Sequence, residues 1–188
     1  MIPTTMSPRE TQSRIRPVVT ILLAGALLAL ALFIGGAAGG LRINMTSSEP
    51  LGLWRVLAVD RPPAVGDVVF ICPPENDVIR EARKRGYLRS GLCPGGVAPL
   101  IKTVIAAAGQ HVAIGASVSV DGRVVPSSGL AQRDEKGRSL SPFQSGVVPQ
   151  GQVVLHSSFA GSYDSRYFGP LPVSGMLGLA QEVLTYAP

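Results

Sequence analysis

The chain has 188 residues, 46% apolar and only 15% charged, against about 25% charged in ordinary soluble domains. That balance excludes a disordered chain, and a net charge of +5 with no basic stripe interleaved with aromatics argues against nucleic-acid binding. With 22 glycines, 16 prolines and few aromatics, a turn-rich β fold is favoured over a helix bundle.

Residues 1–17 form a basic tail, with Arg9, Arg14 and Arg16 against Glu10. Val18 to Gly40 is a run of 23 uncharged residues, and about 20 apolar residues span a bilayer as a helix. The reading is an uncleaved, single-pass signal anchor. The alternative is a cleaved signal peptide, because the small residues Gly35 to Gly40 offer a cleavage site. Against it, the run exceeds the usual signal core of roughly 7–15 residues. Gly35/Gly39 and Gly36/Gly40 have GxxxG spacing, which in so glycine-rich a stretch reads as a loose helix end rather than a dimer seam. The arginines precede the span, so the positive-inside rule puts the N-terminus in the cytoplasm. The expected organisation is a cytoplasmic tail at 1–17, a transmembrane anchor in the inner membrane at 18–40, and a periplasmic domain at 41–188.

The outer part reads as short strands between turn signals. Asp67–Cys72 is a strand stopped by Pro73-Pro74, and Leu100–Ala107 is another, closed by Gly109. Val118–Val120 and Arg123–Val125 flank Asp121-Gly122, a type I′ hairpin signal. Gln152–His156 and Glu182–Tyr186 are further strands. One helix is expected from Asp77 to Arg85, ended by Gly86. Its cluster Arg80, Arg83, Lys84 and Arg85 reads as a solvated face. Residues 127–146 read as a long polar surface loop. The chain has two cysteines, Cys72 and Cys93. An oxidising compartment permits their pairing, the alternative being two buried thiols.

Several chemistries lack their residues. There is no C-x-x-C, H-E-x-x-H, P-loop or G-x-G-x-x-G, and with His111 and His156 as the only histidines no His-ligated metal site is expected. No cofactor is implied. A Ser-His-Asp triad is formally possible, but both histidines read as ordinary strand-end or turn residues. Serine hydrolysis can also run on a lysine base, if burial lowers the ammonium's pKa. Of three lysines, Lys84 and Lys136 lie in charged, solvated contexts. Lys102 sits in an apolar strand and shares a face with Leu100 and Val104. The polar segment Asn44–Trp54 follows the span closely. Ser48 lies eight residues beyond Gly40, within about 28 Å of the span end at full extension. Pro50 and Gly52 can hold a tight turn there.

Taken together, Ser48-Glu-Pro-Leu-Gly-Leu-Trp54, Gly66-Asp-Val-Val69, Lys102-Thr-Val-Ile-Ala-Ala-Ala-Gly109 and Ser162-Tyr-Asp-Ser-Arg-Tyr-Phe-Gly169 occur in this order. The series resembles the boxes of the type I signal peptidase family, serine proteases with a Ser–Lys dyad. In detail it is most similar to the TraF-type conjugative-transfer branch of that family. Asn44, Ser48, Pro50 and Gly52-Leu53-Trp54, with Phe70–Pro74 and Gly91–Gly96, carry that likeness. The resemblance implies a mainly β, signal-peptidase-like antiparallel domain with one short helical excursion. It implies Ser48 as nucleophile, Lys102 as general base, and Thr46 as a hydroxyl of the oxyanion hole. Ser162 would orient the lysine, and Asp164 would pair with Arg166.

Two departures stand out. Glu49 follows the serine where an apolar residue is usual. Ser47 is a neighbouring rival nucleophile, by its S-x-x-P spacing to Pro50; the offsets from Asn44 and Thr46 choose Ser48. The implied function is a membrane-anchored serine endopeptidase that trims the propilin of a conjugative pilus, possibly cyclising it. Its implied partners are the propilin or another exported precursor, the bilayer, and conjugative secretion machinery. The rival readings are a general signal peptidase that removes export signals and a catalytically silent scaffold of a secretion channel.

Overall fold

The computed structural model describes residues 8–187, which fall into two compact units dividing after Leu41. The first unit is one helix, α1 (Pro8–Ala38). Ala- and Leu-rich sequence favours helix strongly, and the stretch Pro17–Gly36 is long and apolar enough to cross a membrane. Its large side chains, among them Ile21, Leu22 and Leu27, are exposed. The helix stops at Ala38, two residues short of the expected span, and Gly40 takes a left-handed φ of 78°. The expected tail before Pro8 lies outside the described residues.

The second unit is mainly β. In chain order its elements are β1 (Leu41–Asn44), β2 (Leu51–Leu57), β3 (Val68–Ile71), α2 (Asp77–Arg85), β4 (Leu100–Ala107), β5 (His111–Ile114), β6 (Val118–Val120) and β7 (Arg123–Val124). They continue with β8 (Gly146–Val147), β9 (Gln152–His156), α3 (Ser165–Phe168), β10 (Leu171–Pro172) and β11 (Met176–Tyr186). Seven strands form one sheet in the order β1-β2-β11-β3-β4-β9-β10, and four form a second in the order β7-β6-β5-β8. Every pair from β2 to β10 in the large sheet is antiparallel.

The period-2 alternation of a strand feeds two cores from the large sheet. Val69, Ile71, Val104 and Leu155 pack on one face with Ile79 and Ala82 of α2. Phe70 and Ile101 pack on the other with Trp54. The small sheet closes over a third cluster of Val112, Val118, Val120, Val148 and Val154. Because both faces are covered, β4 runs through the interior, with Ile101, Lys102, Val104 and Ala106 all buried. At Gly52 in β2, φ is 127° and an added Cβ would lie 2.2 Å from the carbonyl oxygen of Leu184. Strand β11 bulges there, between Glu182 and Leu184, so the approach admits only glycine.

The hairpin at Asp121-Gly122 forms as expected, with both residues at positive φ. So does α2, which is capped by the Asn76 side chain on Ile79 N and closed by Gly86 at φ 84°. Its basic face is exposed, with ion pairs from Arg80 to Asp77 and Arg85 to Glu81. The 127–146 loop carries a bridge between Arg133 and Ser139 and is tied down through Asp134, which accepts hydrogen bonds from Tyr87 and Arg138. Strands β1, β2, β5, β8 and β10, helix α3 and the first half of β11 lie outside the sequence-level assignments.

Cys72 and Cys93 are joined in a disulfide, with Cα atoms 5.4 Å apart. It closes the excursion that carries α2 onto the end of β3. Replacing Cys72 by serine is expected to lower unfolding stability by about 3 kcal/mol, the loop-closure value for this separation. The cleavage activity that the resemblance implies should persist at low temperature. Denaturant titration beside a processing assay checks both; full activity loss at intact stability would tie the bond to catalysis.

Candidate active site

Five of the residues singled out from the sequence meet in one cleft of about 880 Å³, while Asp164 and Arg166 lie outside its lining. Thr46, Ser47, Ser48, Lys102 and Ser162 all line it. They arrive from three places in the chain: the turn between β1 and β2, the middle of β4, and the loop between β9 and α3.

The turn is built by Asn44, which is nearly fully buried. Its side-chain amide donates to the carbonyls of Thr46, Glu49 and Pro50 at 2.9–3.0 Å. Its Oδ1 accepts from Thr46 N at 3.0 Å and Thr46 Oγ1 at 2.7 Å. An asparagine side chain can thus replace the backbone bonds that the tight turn forgoes. Trp54 adds a second clamp, donating from Nε1 to Pro50 O at 2.9 Å. Ser157 adds a third from the far side, donating from Oγ to the carbonyl of Ser48. The turn that carries Ser48 is therefore held from both directions.

Thr46 Oγ1 lies 3.4 Å from Ser48 Oγ. Since the Thr46 hydroxyl gives its single proton to Asn44, the Ser48 hydroxyl is the donor in that contact. Thr46 reaches an oxyanion as donor only after rotating its proton away from Asn44. Among the described residues no hydrogen bond joins Ser48 to Lys102. Catalytic contacts in an unliganded enzyme are often loose and tighten on substrate binding.

Lys102 is 4% exposed, and it sits opposite Val69, with Val104 two residues along on its own face. Burial drives its pKa down to about 8; Asp164 and Glu49 push it back up and Arg166 adds to the fall. An ordinary lysine would be almost wholly protonated near neutrality, whereas this one supplies a usable fraction of free amine.

Asp164 and Arg166 form a fully buried pair. Arg166 donates to Asp164 from Nε at 2.8 Å and from Nη2 at 2.9 Å. It also donates from Nη1 to the carbonyl of Gly129 at 2.6 Å and from Nη2 to the carbonyl of Ser162 at 2.9 Å. Asp164 also caps α3 through Arg166 N and accepts from Ser157 N at 3.2 Å. Burial alone would raise the Asp164 pKa, but the interactions with His156 and Arg166 outweigh it and hold the group low. The pair thus carries Ser157, and through it the Ser48 carbonyl. The hydroxyl of Ser162 is buried without a hydrogen-bond partner, free to meet an amine entering the cleft.

Sequence reasoning missed Ser157, whose contact with Ser48 bridges 109 positions and leaves no local signature. It placed His156 correctly at the end of a strand but did not foresee its burial beside Asp164. His156 is buried, its Nδ1 3.4 Å from Asp164 Oδ2 without hydrogen-bond geometry. Cys72 and Cys93 lie outside the cleft lining. No group of three or more candidate metal ligands occurs among the described residues.

The model of the signal peptidase family, peptidase S26, matches residues 13–185. The chain belongs to the S26 signal peptidase family. This peptidase is 62% identical over 173 residues to the probable conjugal transfer protein TraF of Sinorhizobium fredii (strain NBRC 101917 / NGR234), covering 92% of each chain. It is 54% identical over 175 residues to the conjugal transfer protein TraF of Agrobacterium tumefaciens (strain 15955), covering 93% of this chain and 99% of that one. With the plasmid transfer protein TraF of Escherichia coli it shares 40% identity over 168 residues, covering 87% and 91%. The antiparallel β architecture of the peptidase is the one its family membership implies.

Proposed function

We propose that this peptidase is a membrane-anchored Ser–Lys endopeptidase that processes the propilin of a conjugative pilus. The observation that carries the reading is the meeting, in one cleft, of Ser48 on a rigidly held turn with an amine whose pKa burial lowers to about 8. The names of its TraF relatives support a role in conjugation. In the proposed organisation residues 1–17 are a cytoplasmic tail and 18–40 the anchor. Residues 41–188 are the catalytic domain on the periplasmic side of the inner membrane.

In the proposed reaction neutral Lys102 takes the Ser48 proton as Oγ attacks the scissile carbonyl. The Ser48 N–H and the Thr46 hydroxyl hold the oxyanion. The lysine then returns the proton to the leaving amine, and an acyl-ester remains on Ser48. Water releases the acid product, or an amine of the substrate resolves the ester into a new amide and a cyclic product. Ser162 orients the amine, while Asp164 and Arg166 hold Ser157 and the nucleophile turn.

The pH dependence has a defined sign. Only neutral Lys102 is competent, so kcat/KM should rise about tenfold per unit below pH 8 and level off above it. Conversion of propilin measured by mass spectrometry from pH 6 to 10 checks this. A plateau already reached at pH 6 would contradict a lysine base. The same assay separates the rival readings. Broad accumulation of exported precursors on depletion would mark a general signal peptidase, and normal pili with Ser48→Ala would mark a scaffold.

A further inference from the structure

Ser157 follows the last residue of β9 and is 1% exposed. A serine hydroxyl has one proton to give and can accept as well, and here both capacities are used. Oγ accepts from Phe159 N at 3.2 Å and donates to the carbonyl of Ser48. The residue is itself anchored in the interior, since its N–H donates to Asp164 Oδ2 at 3.2 Å and Asp164 is gripped by Arg166. Ser157 therefore joins three parts of the site: the nucleophile turn, the buried ion pair, and Phe159, which lines the cleft.

The carbonyl that it takes is the one that Asn44 leaves. Asn44 Nδ2 donates to the carbonyls of Thr46, Glu49 and Pro50, and none of these bonds reaches Ser48. A carbonyl's direction is set by ψ of its own residue. Fixing the Ser48 carbonyl therefore fixes ψ there, while Thr46 N and Oγ1, bound to Asn44 Oδ1, steady the backbone two residues before. What remains to aim Oγ is χ1, which has three staggered wells. The 3.4 Å approach of Ser48 Oγ to Thr46 Oγ1 marks the well that is taken. Reacting atoms must meet within about 3–3.5 Å, and a displacement of about 1 Å can cost roughly a hundredfold in rate.

We propose that Ser157 is a positioning residue for the nucleophile: its hydroxyl, set between the Phe159 amide and the Ser48 carbonyl, locks ψ of Ser48 so that Oγ is aimed before substrate arrives. The proposal rests on Ser48 as the nucleophile. Ser157 is not part of the cleft lining, so it acts on the reaction only through Ser48. Its removal should spare ground-state binding and fall on the chemical step. A bond that served only the fold would, when lost, lower stability and leave kcat where it was.

Ser48-Glu49 is the one Ser–Glu step of the chain, and Ser158-Phe159 the one Ser–Phe step. Full-length protein carrying ¹³C at the serine carbonyls and ¹⁵N in glutamate and phenylalanine, held in detergent micelles, therefore gives two carbonyl–amide correlations by NMR. In Ser157→Ala the Ser48 carbonyl and the Phe159 amide proton should both move upfield as their hydrogen bonds are lost. For propilin conversion by the same variant, kcat should fall by about ten- to a hundredfold with KM unchanged. Ser157→Cys keeps the shape with a weaker donor. It should lie between wild type and alanine, and it carries the test if Ser157→Ala does not fold. A Ser48 carbonyl signal at its wild-type position, a wild-type kcat in a folded variant, or a loss confined to KM overturns the inference. Failure of the underlying reading looks different: Ser48→Ala would go on converting propilin, and the inference would fall with it.

Discussion

Ser48→Ala and Lys102→Met should each reduce propilin conversion by at least about a thousandfold, the usual scale for removing a member of a catalytic unit. Both proteins should remain folded and membrane-bound. In the proposed mechanism Ser48 and Lys102 act on the same proton, so the double variant should be no slower than either single one. Additive losses would mean that the two side chains serve separate steps. Ser47→Ala should retain activity, because the contact with Thr46 and the clamp from Ser157 belong to Ser48. Activity that survives in Ser48→Ala and is lost in Ser47→Ala would move the nucleophile by one residue. Single-turnover mass spectrometry of propilin with each variant distinguishes these outcomes.

The second large effect is on stability. Asp164→Ala would strand a guanidinium that is 2% exposed, and removing one partner of a buried pair costs about 3–5 kcal/mol. The loss should exceed that of Cys72→Ser. It should also reach the site, because Ser157 N donates to Asp164 and Ser157 Oγ to the Ser48 carbonyl. Asp164→Asn keeps the shape but not the charge, so it should fall between wild type and alanine. Guanidinium denaturation, followed at the single tryptophan, measures it; Trp54 packs at the foot of the nucleophile turn. A cost under about 1 kcal/mol for Asp164→Ala would mean that Arg166 finds other partners.

What the sequence made legible was local. Asp121-Gly122 demanded a turn with two positive φ angles, and α2 carried its own stop in Gly86, whereas its cap by Asn76 emerged only in the structure. Strand β4 announced itself by an apolar run, and the one charge inside it, Lys102, is buried and lines the cleft. The nucleophile turn was legible as a pattern of Asn, Thr, Ser and Pro. Its flanking strands were not: β1 is four residues long and β2 contains Gly52, which reads as punctuation until the bulge of β11 is seen to need it. The first half of β11 was obscured in the same way by Gly178, which lies against the carbonyl of Leu57. The supports of the site come from far along the chain. Ser157 on Ser48, Arg166 on Gly129 and His156 beside Asp164 answer to tertiary approach rather than to any period.

The most direct test of Ser48 as nucleophile uses the disulfide. With Cys72 and Cys93 bonded to each other, Ser48→Cys introduces the one free thiol of the chain. That variant is incubated with propilin before and after N-ethylmaleimide treatment, and subunit mass and the site of alkylation are read by mass spectrometry. The account predicts residual conversion by Ser48→Cys that alkylation at position 48 abolishes, with the wild type unaffected by the reagent. Conversion that continues after position 48 is fully alkylated would contradict it.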